Sequence, residues 1–424
     1  MRYYSTRNTN EAAGFAAASL TGLAPDGGLY VPKEIPQYSA AVKSSLGTMA
    51  YTDIAYETIR PWVEEDIPKA VLQDILHSAY PFTAPLVRAG DRFVLELFHG
   101  PTAAFKDFGA RFMARAFSYL RRGEDKPLKI LVATSGDTGG AVADGFYGVE
   151  GISVTILYPR GRVSPLQERQ IAGLGGNVSA FAVEGSFDDC QRLVKLAFSD
   201  GDLKKRHVLS SANSINVSRL IPQAAYYAAA AGGAPRAAFA VPSGNFGNLT
   251  AGLYAWKMGA PIGRFIAATN VNKTVPDYLE NGSYEERPSK ATLSNAMDVG
   301  APSNFERMAA HFSWEEMRRL ILGASVSDDE TRQTISEVFS RWRYYLDPHS
   351  AVGWKAADKL KEAGKLTGEN ALAIFSTAHP AKFAEIVEPI TGPVPVPPSL
   401  QKAMERSADA RTIPAELNML KEYL

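Results

Sequence analysis

The sequence predicts an α/β protein built on parallel sheets. Short apolar runs rich in valine and isoleucine recur from Phe93 onward, and each is followed by a small polar or glycine-containing loop. Each loop then leads into a segment of helical composition, which is typical of βαβ units. The chain has 424 residues, which is enough for two or three domains.

The first ninety or so residues have a different pattern. They combine turn clusters, such as residues 25–28, with a helical pattern over 67–79, and they end near Pro85. We therefore expect residues 1–92 to form a separate amino-terminal extension.

Three strand–loop–helix units stand out. The apolar runs are 128–133, 237–241 and 371–375, and the loops that follow them are 134–140, 242–248 and 376–380. Ligands of open parallel sheets bind beyond the carboxyl ends of the strands, so we expect these loops to converge on one crevice.

Other stretches complete the predicted architecture. Runs at 151–158 and 263–268 predict further buried strands. The proline-rich stretch 389–398 predicts an extended connector, and residues 399–406 predict a terminal helix that docks after it.

Composition excludes several classes of partner. The 45 basic residues balance 45 acidic ones, so the formal net charge is +0 and supplies no general attraction for nucleic acid. The most apolar stretch, 224–231, is short against the roughly 20 residues that span a bilayer. The first twenty residues lack a signal-peptide pattern, and the single cysteine, Cys190, has no partner for an intrachain disulfide. We expect a cytoplasmic protein that binds neither nucleic acid nor membrane.

The loop 243–248 is a candidate phosphate-binding loop. Its glycines leave backbone N–H groups free to surround an anion at the start of the following helix. It lacks the Gly-Lys-Ser/Thr ending of nucleoside triphosphate loops, and neither this loop nor 136–140 matches GxGxxG. A tight glycine turn without a ligand remains an alternative.

The loop 135–139 offers two hydroxyls and a helix amino terminus, which would suit a carboxylate or a second phosphate. Asp137 or Thr138 could instead be an ordinary helix cap. The sequence leaves both interpretations open.

Lys106 is a candidate nucleophile. It follows Phe105 and precedes Phe108, and apolar neighbours disfavour the ammonium form and free an amine for Schiff-base chemistry. The alternative is a solvated surface lysine.

No metal or hydrolase motif is evident. His99 and His379 fall in candidate loops, but no HExxH pair and no cysteine–histidine zinc spacing is present. A GxSxG nucleophile elbow is also absent. We expect no metal.

Taken in order, seven segments resemble the pyridoxal-phosphate-dependent threonine synthase family. They are PDGGLYVP (25–32), FHGPTAAFKDFGARF (98–112), TSGDTGGA (134–141), SANSINVSRLIPQ (211–223), VPSGNFGNLTAG (241–252), MDVGAPSNFERM (297–308) and STAHPAKF (376–383). The resemblance implies fold type II of these enzymes, with two open twisted α/β lobes. Residues 93–220 would form the small lobe with the Schiff-base lysine and substrate loop. Residues 221–424 would form the large lobe with the phosphate loop and a carboxy-terminal helix.

The resemblance also implies residue roles. Lys106 matches the lysine that binds pyridoxal 5'-phosphate as a Schiff base, and Thr377 matches the hydroxyl that meets the pyridine nitrogen. The cofactor phosphate would be held by Gly244, Asn245, Phe246, Gly247 and Asn248. The substrate carboxylate loop would be Ser135, Gly136, Asp137 and Thr138, in which the anionic Asp137 is expected to orient a neighbour. The candidates for the substrate phosphate are Asn213, Ser214, Asn216 and Arg219.

The activity that the resemblance implies is conversion of O-phospho-L-homoserine and water to L-threonine and phosphate, the last step of threonine biosynthesis. A related phospho-lyase would release 2-oxobutanoate and ammonia from the same substrate. A non-catalytic binder of a phosphorylated metabolite is a further alternative.

Overall fold

The structure, a computed structural model, describes residues 1–369 and 371–424. Its strands are β1 (Tyr3–Ser5), β2 (Ala12–Ala13), β3 (Tyr30–Pro32), β4 (Leu86–Ala89), β5 (Arg92–Glu96), β6 (Leu128–Ala133), β7 (Ile152–Pro159), β8 (Val178–Glu184), β9 (Val208–Ser211), β10 (Ala238–Pro242), β11 (Arg264–Thr269), β12 (Ile321–Ser325), β13 (Leu372–Ser376) and β14 (Arg411–Pro414).

The helices of the first half are α1 (Phe15–Thr21), α2 (Ala40–Ser45), α3 (Tyr51–Val63), α4 (Lys69–Ala79), α5 (Lys106–Leu120), α6 (Asp137–Phe146), α7 (Pro165–Ala172), α8 (Phe187–Ser199), α9 (Gly201–Arg206) and α10 (Val217–Leu220). Those of the second half are α11 (Ala224–Gly233), α12 (Gly247–Met258), α13 (Thr274–Asn281), α14 (Phe305–His311), α15 (Trp314–Leu320), α16 (Asp328–Trp342), α17 (Pro348–Glu362), α18 (Ala384–Thr391), α19 (Pro398–Met404) and α20 (Leu417–Lys421). Short 3₁₀ helices cover Ile221–Gln223, Asn295–Met297 and Pro380–Phe383.

Three sheets organise the described residues. A six-stranded sheet has the order β12-β11-β10-β13-β5-β4 and is parallel except for the antiparallel β4–β5 pair. A five-stranded parallel sheet has the order β14-β8-β7-β6-β9. A small antiparallel sheet, β2-β1-β3, belongs to the amino-terminal part. The two larger sheets form the large and small lobes, which confirms the predicted α/β class with two lobes.

The predicted apolar runs agree closely with the strands. The run 128–133 is β6 itself, and the other four runs named from the sequence overlap β7, β10, β11 and β13 with ends shifted by about one residue. Strand β10 is buried along its whole length, as expected for a central parallel strand covered by helices on both faces.

The sheets differ from the predicted domain boundaries in three places. Strand β4, inside the predicted extension 1–92, pairs with β5 at the edge of the large-lobe sheet. Strand β5, at the start of the predicted small lobe 93–220, pairs with β13 in the large lobe, with Leu95 opposite Phe375. Strand β14, near the end of the predicted large lobe 221–424, pairs with β8 in the small lobe, with Arg411 opposite Phe181. The chain therefore crosses between lobes after β5 and returns to the small lobe at its carboxyl end.

The carboxyl-terminal prediction was partly wrong. Helix α18 continues through Pro389 to Thr391, because the helix buries Val387 and packs Ile386 and Ile390 against the large-lobe core. Helix α19 matches the predicted terminal helix, but β14 and α20 follow it.

The amino-terminal extension packs onto the large lobe. The Tyr3 hydroxyl donates to the Trp62 carbonyl at 2.8 Å, and the Trp62 ring stacks on Tyr254 of α12 at 5.6 Å between centroids. All three residues belong to one apolar cluster. None of the described helices is long and apolar enough to cross a membrane.

Candidate active site

The backbone places Lys106 beside the carboxyl end of β13. Two hydrogen bonds join the segment before Lys106 to the segment after β13: Phe105 N–H donates to Thr377 O at 2.8 Å, and His379 N–H donates to Ala103 O at 3.0 Å. Helix α5 then starts at Lys106 itself. The position next to Thr377 is thus fixed by main-chain pairing between residues far apart in sequence.

A cleft of about 980 Å³ opens at this point, between the two lobes and the amino-terminal extension. The predicted site residues that line it are Lys106, Ser135, Asp137, Thr138, Asn213, Ser214, Arg219, Gly244, Asn245, Phe246, Gly247, Asn248 and Thr377. Gly136 and Asn216 are not among the lining residues. The three predicted loops therefore do converge on one crevice.

Removal from water lowers the pKa of Lys106 to about 8. The negative charge of Asp137 opposes this shift, whereas the positive charges of Lys382 and Arg219 add to it. A lysine with such a pKa has a substantial neutral fraction near physiological pH, as a Schiff-base amine requires.

Asp137 is paired inside the protein. Its Oδ1 lies 2.8 Å from Lys382 Nζ and accepts a hydrogen bond from Gln167 Nε2 at 3.0 Å. Burial alone would raise the pKa of this carboxyl, but the charge of Lys382, together with that of Lys106, holds the pKa well below its usual range. Lys382 and Gln167 therefore hold Asp137 in place, and its orienting role in the substrate loop stays a prediction.

The candidate phosphate-binding loop, 243–248, ends in a helix amino terminus that lines the cleft. Phe246 has a left-handed backbone (φ 58°), and the first helical bond of α12 runs from Thr250 N–H to Phe246 O. The backbone N–H groups that precede Thr250 in the loop and the first helical turn have no carbonyl acceptor one turn earlier in the helix. They are therefore available to bind an anion. A side chain at Gly244 would place its Cβ 2.7 Å from Ala296 O, so only glycine fits there.

Two asparagines flank these N–H groups. Asn245 donates from Nδ2 to Ser214 Oγ at 2.7 Å and accepts from Ser303 N–H at 2.6 Å, which fixes the loop. The Oδ1 of Asn248 accepts from the hydroxyls of Tyr226 and Tyr227. Asn248 Nδ2 is buried with no partner in the described structure and remains free to donate to a ligand.

Gly136 has a packing role. It adopts φ 137°, and a Cβ there would lie 2.5 Å from the Gln167 amide that donates to Asp137. Its N–H donates to Thr134 Oγ1 at 3.0 Å, as does the N–H of Gly139 at 2.9 Å. Gly136 therefore makes room for the amide that holds Asp137.

Asn216 and Arg219 differ from each other in role. The Asn216 amide donates to the carbonyls of Ser19 and Ser211 and accepts from the N–H and hydroxyl of Ser218, so it is fully used as the cap of α10. Arg219 is buried yet lines the cleft, and its guanidinium donates to Ala212 O. Burial lowers the pKa of Arg219 to about 10.

Residues that the sequence analysis left without a role also shape the site. Lys382 lies in STAHPAKF, a segment that the sequence analysis singled out without giving this lysine a role, and His349 was given no role either. Arg307 is fully buried and donates from Nη1 to Asn304 Oδ1 at 2.8 Å, and Asn304 donates to Asn245 O at 3.1 Å. The signal for Lys382 was its place in STAHPAKF, just after a predicted strand.

These residues fit pyridoxal phosphate. The free N–H groups before Thr250 and the Asn248 amide suit a phosphate, the Lys106 amine suits an aldehyde, and the Thr377 hydroxyl can meet a ring nitrogen. The described residues contain no group of three or more metal-ligating side chains.

Family models match almost the whole chain. Residues 86–377 match the model described as pyridoxal-phosphate dependent enzyme, residues 2–80 match the threonine synthase N terminus, and residues 350–424 match the threonine synthase C-terminal model. The chain is 42% identical to a threonine synthase of Escherichia coli (strain K12) over 432 residues, covering 100% of this chain and 99% of that protein. It is 36% identical to a Saccharomyces cerevisiae threonine synthase, covering 91% and 88%.

Solved structures agree. The threonine synthase of Escherichia coli superposes with a TM-score of 0.91 at 41% identity, covering 100% of this chain and 99% of the other. A threonine synthase of Brucella melitensis described as PLP bound gives 0.92 at 39% identity, covering 100% and 98%. A Solanum lycopersicum threonine deaminase, at 20% identity over 75% of this chain and 92% of its own and a TM-score of 0.57, shares the fold alone.

These matches confirm the predicted fold type II, the cofactor and the assignment to an enzyme class. The chain belongs to the threonine synthase family of pyridoxal-phosphate-dependent lyases.

Proposed function

We propose that this chain converts O-phospho-L-homoserine and water to L-threonine and phosphate. The observation that carries the proposal is the juxtaposition, in one cleft, of Lys106 with its lowered pKa and of two helix amino termini, those of α6 and α12. A substrate with a carboxylate and a phosphate, acting with a cofactor that carries its own phosphate, needs several anion sites, and the cleft supplies them locally in a protein with no net charge.

The cofactor would be held at three points. The N–H groups of residues 244–248 and the Asn248 amide would bind its phosphate, the Thr377 hydroxyl would meet its ring nitrogen, and Lys106 would bond to its carbonyl carbon. When bound, pyridoxal phosphate stabilises negative charge that develops on the substrate carbons. Thr377 is neutral and favours protonation of the ring nitrogen less than a carboxylate would.

Lys106 would move the proton at the substrate α-carbon. Once the substrate amine displaces it, its Nζ is a base whose pKa of about 8 matches the pH at which a cytoplasmic enzyme works. The same amine would return a proton later and then release the product. Loss of hydration in the cleft keeps this amine from being permanently charged.

The substrate carboxylate would bind Ser135 and Thr138 at the start of α6. The substrate phosphate would bind Asn213, Ser214 and Arg219, which line the same cleft, and charge-assisted hydrogen bonds from Arg219 would stabilise the leaving group. Asp137 orients the loop through Lys382. Gly136 and Asn216, which the family resemblance suggested as ligands, support the loops instead.

The access of water to the cleft must be limited, because early hydrolysis would divert the reaction to a 2-oxo acid. The mouth of the cleft carries Arg7 of the extension, whose Nε lies 3.1 Å from Glu306 Oε1, and Lys195 of α8 in the small lobe. Closure of the small lobe toward the extension would bring these charged groups together over the substrate.

A cytoplasmic location remains a prediction. It rests on the single cysteine, Cys190, which cannot form the intrachain disulfide typical of an oxidising compartment.

The test is product analysis of the purified, cofactor-loaded protein with O-phospho-L-homoserine. We expect L-threonine and phosphate in equal amounts, resolved by chromatography and a phosphate assay. Phosphate with 2-oxobutanoate and ammonia, and no threonine, would establish the phospho-lyase instead. The Lys106→Arg variant, which keeps the charge and loses the nucleophile, is the matched control and should release neither set of products.

A further inference from the structure

A second pocket lies beside the loop that leads to Lys106, outside the cleft described above. Its volume is about 420 Å³, which is within the range of roughly 300–1,000 Å³ typical of small-molecule sites. One wall comes from α6 and α7 of the small lobe, another from α19, and the loop at Pro101 and Thr102 completes the lining. Among the described residues, this pocket shares no lining residue with the cleft.

The small-lobe wall presents hydrogen-bond acceptors. Gln170 is 3% exposed and donates from Nε2 to Thr102 O at 3.1 Å, whereas its Oε1 is buried with no partner in the described part of the chain. This amide lies against Gly140 in the same wall, where an added Cβ would be 3.4 Å from Oε1. Asp144, one helical turn after Gly140, lies 3.2 Å from Arg111 Nη1 through Oδ2 only. A buried acceptor without a donor is costly, which indicates that a bound group supplies one.

The α19 wall presents two positive charges. Lys402 lies in α19, and Arg406 follows the end of this helix four residues later. Neither side chain forms an ion pair with any residue that the structure describes. Pro101, Pro398 and Ala403 add apolar surface to the lining. Two unpaired cations on one wall favour a carboxylate, which can accept from both of them.

We propose that this pocket binds a free α-amino acid with an apolar side chain. The ammonium group donates to Gln170 Oε1 and Asp144, and the carboxylate accepts from Lys402 and Arg406. A simple anion would leave Gln170 Oε1 unpaired and would be repelled by Asp144, whereas a simple cation would be repelled by the two basic side chains. A molecule that carries both charges is complementary to both walls.

Thr102 connects the pocket with the candidate active site. Its carbonyl accepts from Gln170 Nε2 and also from Lys382 Nζ at 2.8 Å, and Lys382 pairs with Asp137. The N–H and the hydroxyl of Thr102 both donate to Asp107, the second residue of α5, at 2.9 and 2.5 Å. An amino acid in the pocket therefore contacts the same backbone that holds the start of α5.

The pocket also spans the two lobes. Helix α19 buries Leu400 in the apolar cluster of the large lobe, whereas α6 and α7 contribute Val142 and Ile171 to the cluster of the small lobe. An amino acid that contacts both walls stabilises this arrangement of the lobes and makes closure of the small lobe over the substrate less favourable. The bound amino acid should therefore raise the KM for O-phospho-L-homoserine. This effect on KM rests on the proposed function, whereas the binding site itself does not.

The experiment is a calorimetric titration of the cofactor-loaded, full-length protein with L-leucine as the probe. Two analogues each lack one charge: 3-methylbutylamine has no carboxylate, and 4-methylpentanoate has no ammonium group. We expect L-leucine to bind and each analogue to bind about tenfold more weakly, because one wall then loses its partner. The absorbance of the cofactor, recorded in the same titration, identifies any amine that reacts in the cleft instead.

Variants of the α19 wall test the location of the site. Lys402→Met and Arg406→Met should each weaken the binding of L-leucine about tenfold. Lys69→Met is the matched control, because Lys69 is an exposed lysine of α4 that lines neither the cleft nor this pocket. It should bind L-leucine as the wild type does. In steady-state kinetics, saturating L-leucine should raise the KM about fivefold in the wild type and in Lys69→Met, but not in Lys402→Met.

Three results would overturn the binding site: no binding of L-leucine, equal binding of the two analogues, or unchanged binding in both α19 variants. Binding of L-leucine without any change in KM would overturn the effect on lobe closure. If the loaded protein released no product from O-phospho-L-homoserine, the proposed function would have failed, and the titration would still decide whether the pocket binds an amino acid.

Discussion

Lys382 Nζ lies 2.8 Å from Asp137 Oδ1, and neither side chain is more than 3% exposed. Asp137 begins α6 in the small lobe, whereas Lys382 follows β13 of the large lobe. Lys382 also donates to Thr102 O at 2.8 Å, in the loop that leads to Lys106. One buried ion pair therefore joins the two lobes directly behind the proposed Schiff-base lysine.

Removing the lysine charge should destabilise the protein strongly. Lys382→Met leaves the Asp137 carboxylate buried without its main partner, and such a loss costs about 3–5 kcal/mol of unfolding free energy. Urea unfolding at neutral pH measures it. Lys359 pairs with Glu330 at a similar 2.9 Å, but these side chains are 39% and 31% exposed, so Lys359→Met is the control and should cost under about 1 kcal/mol. Equal losses of unfolding free energy in the two variants would show that burial does not strengthen the contribution of the ion pair.

The Asp137–Lys382 ion pair should make the free energy of unfolding depend on pH. The folded state holds the pKa of Asp137 below its unfolded value of about 3.9, so the pair stabilises the fold above that pH. The stability difference between the wild type and Asp137→Asn should therefore be full at neutral pH and should shrink as the pH falls below about 4. Unfolding free energies over this range measure it, and a difference that grows in acid would show that the sign is wrong.

The lowered pKa of Lys106 should determine how the rate of Schiff-base formation depends on pH. With a pKa of about 8, the fraction of neutral amine in cofactor-free protein rises as the pH passes through that value and levels off above it. The rate of Schiff-base formation, followed by absorbance after mixing with pyridoxal phosphate, should have the same midpoint. A midpoint near the ordinary lysine value of about 10.4 would mean that burial has no effect on this amine.

Adding a methyl group at the glycines of loop 243–248 should weaken cofactor binding to different extents. In Gly244→Ala the new Cβ would lie 2.7 Å from the Ala296 carbonyl, whereas in Gly247→Ala the nearest atom is the Asn304 side-chain nitrogen at 3.2 Å. Overpacking of this kind costs about 1–3 kcal/mol, and backbone yields less readily than a side chain. Fluorescence titration should show weaker cofactor binding in Gly244→Ala than in Gly247→Ala. The reverse order would mean that the loop is held differently.

Substitutions of Asn216 and Ser214 should have opposite effects: one should mainly lower stability and the other should mainly weaken substrate binding. Asn216→Ala removes buried hydrogen bonds and leaves groups unpaired, at about 1–3 kcal/mol each, so it should lower stability and leave the KM of the folded enzyme nearly unchanged. Ser214→Ala, at the cleft surface, should raise KM for O-phospho-L-homoserine with a smaller loss of stability. Steady-state kinetics with unfolding curves measure both. If Asn216→Ala raised the KM and Ser214→Ala did not, Asn216 would be a substrate ligand after all.

The sequence predicted well what depends on local pattern. The run that became β6 is apolar at every position except Lys129, and the loop before α12 contains its glycines in plain sequence. It predicted poorly what depends on partners far along the chain. Only Ile413 of β14 is buried, so that short strand has almost no pattern of its own and exists because β8 offers an edge. Lys382 gave no sign of burial because lysine is usually exposed, and its reason for being inside is Asp137, in the other lobe.

The central claim is that Lys106 is the residue that binds the cofactor, and reductive trapping tests it most directly. The loaded protein is treated with borohydride, digested, and examined by mass spectrometry for the pyridoxyl-phosphate addition. We predict a single modified residue, Lys106, with no addition in Lys106→Arg. Addition at Lys382, the buried lysine that pairs with Asp137, or no addition to a protein that has taken up cofactor, would contradict the account.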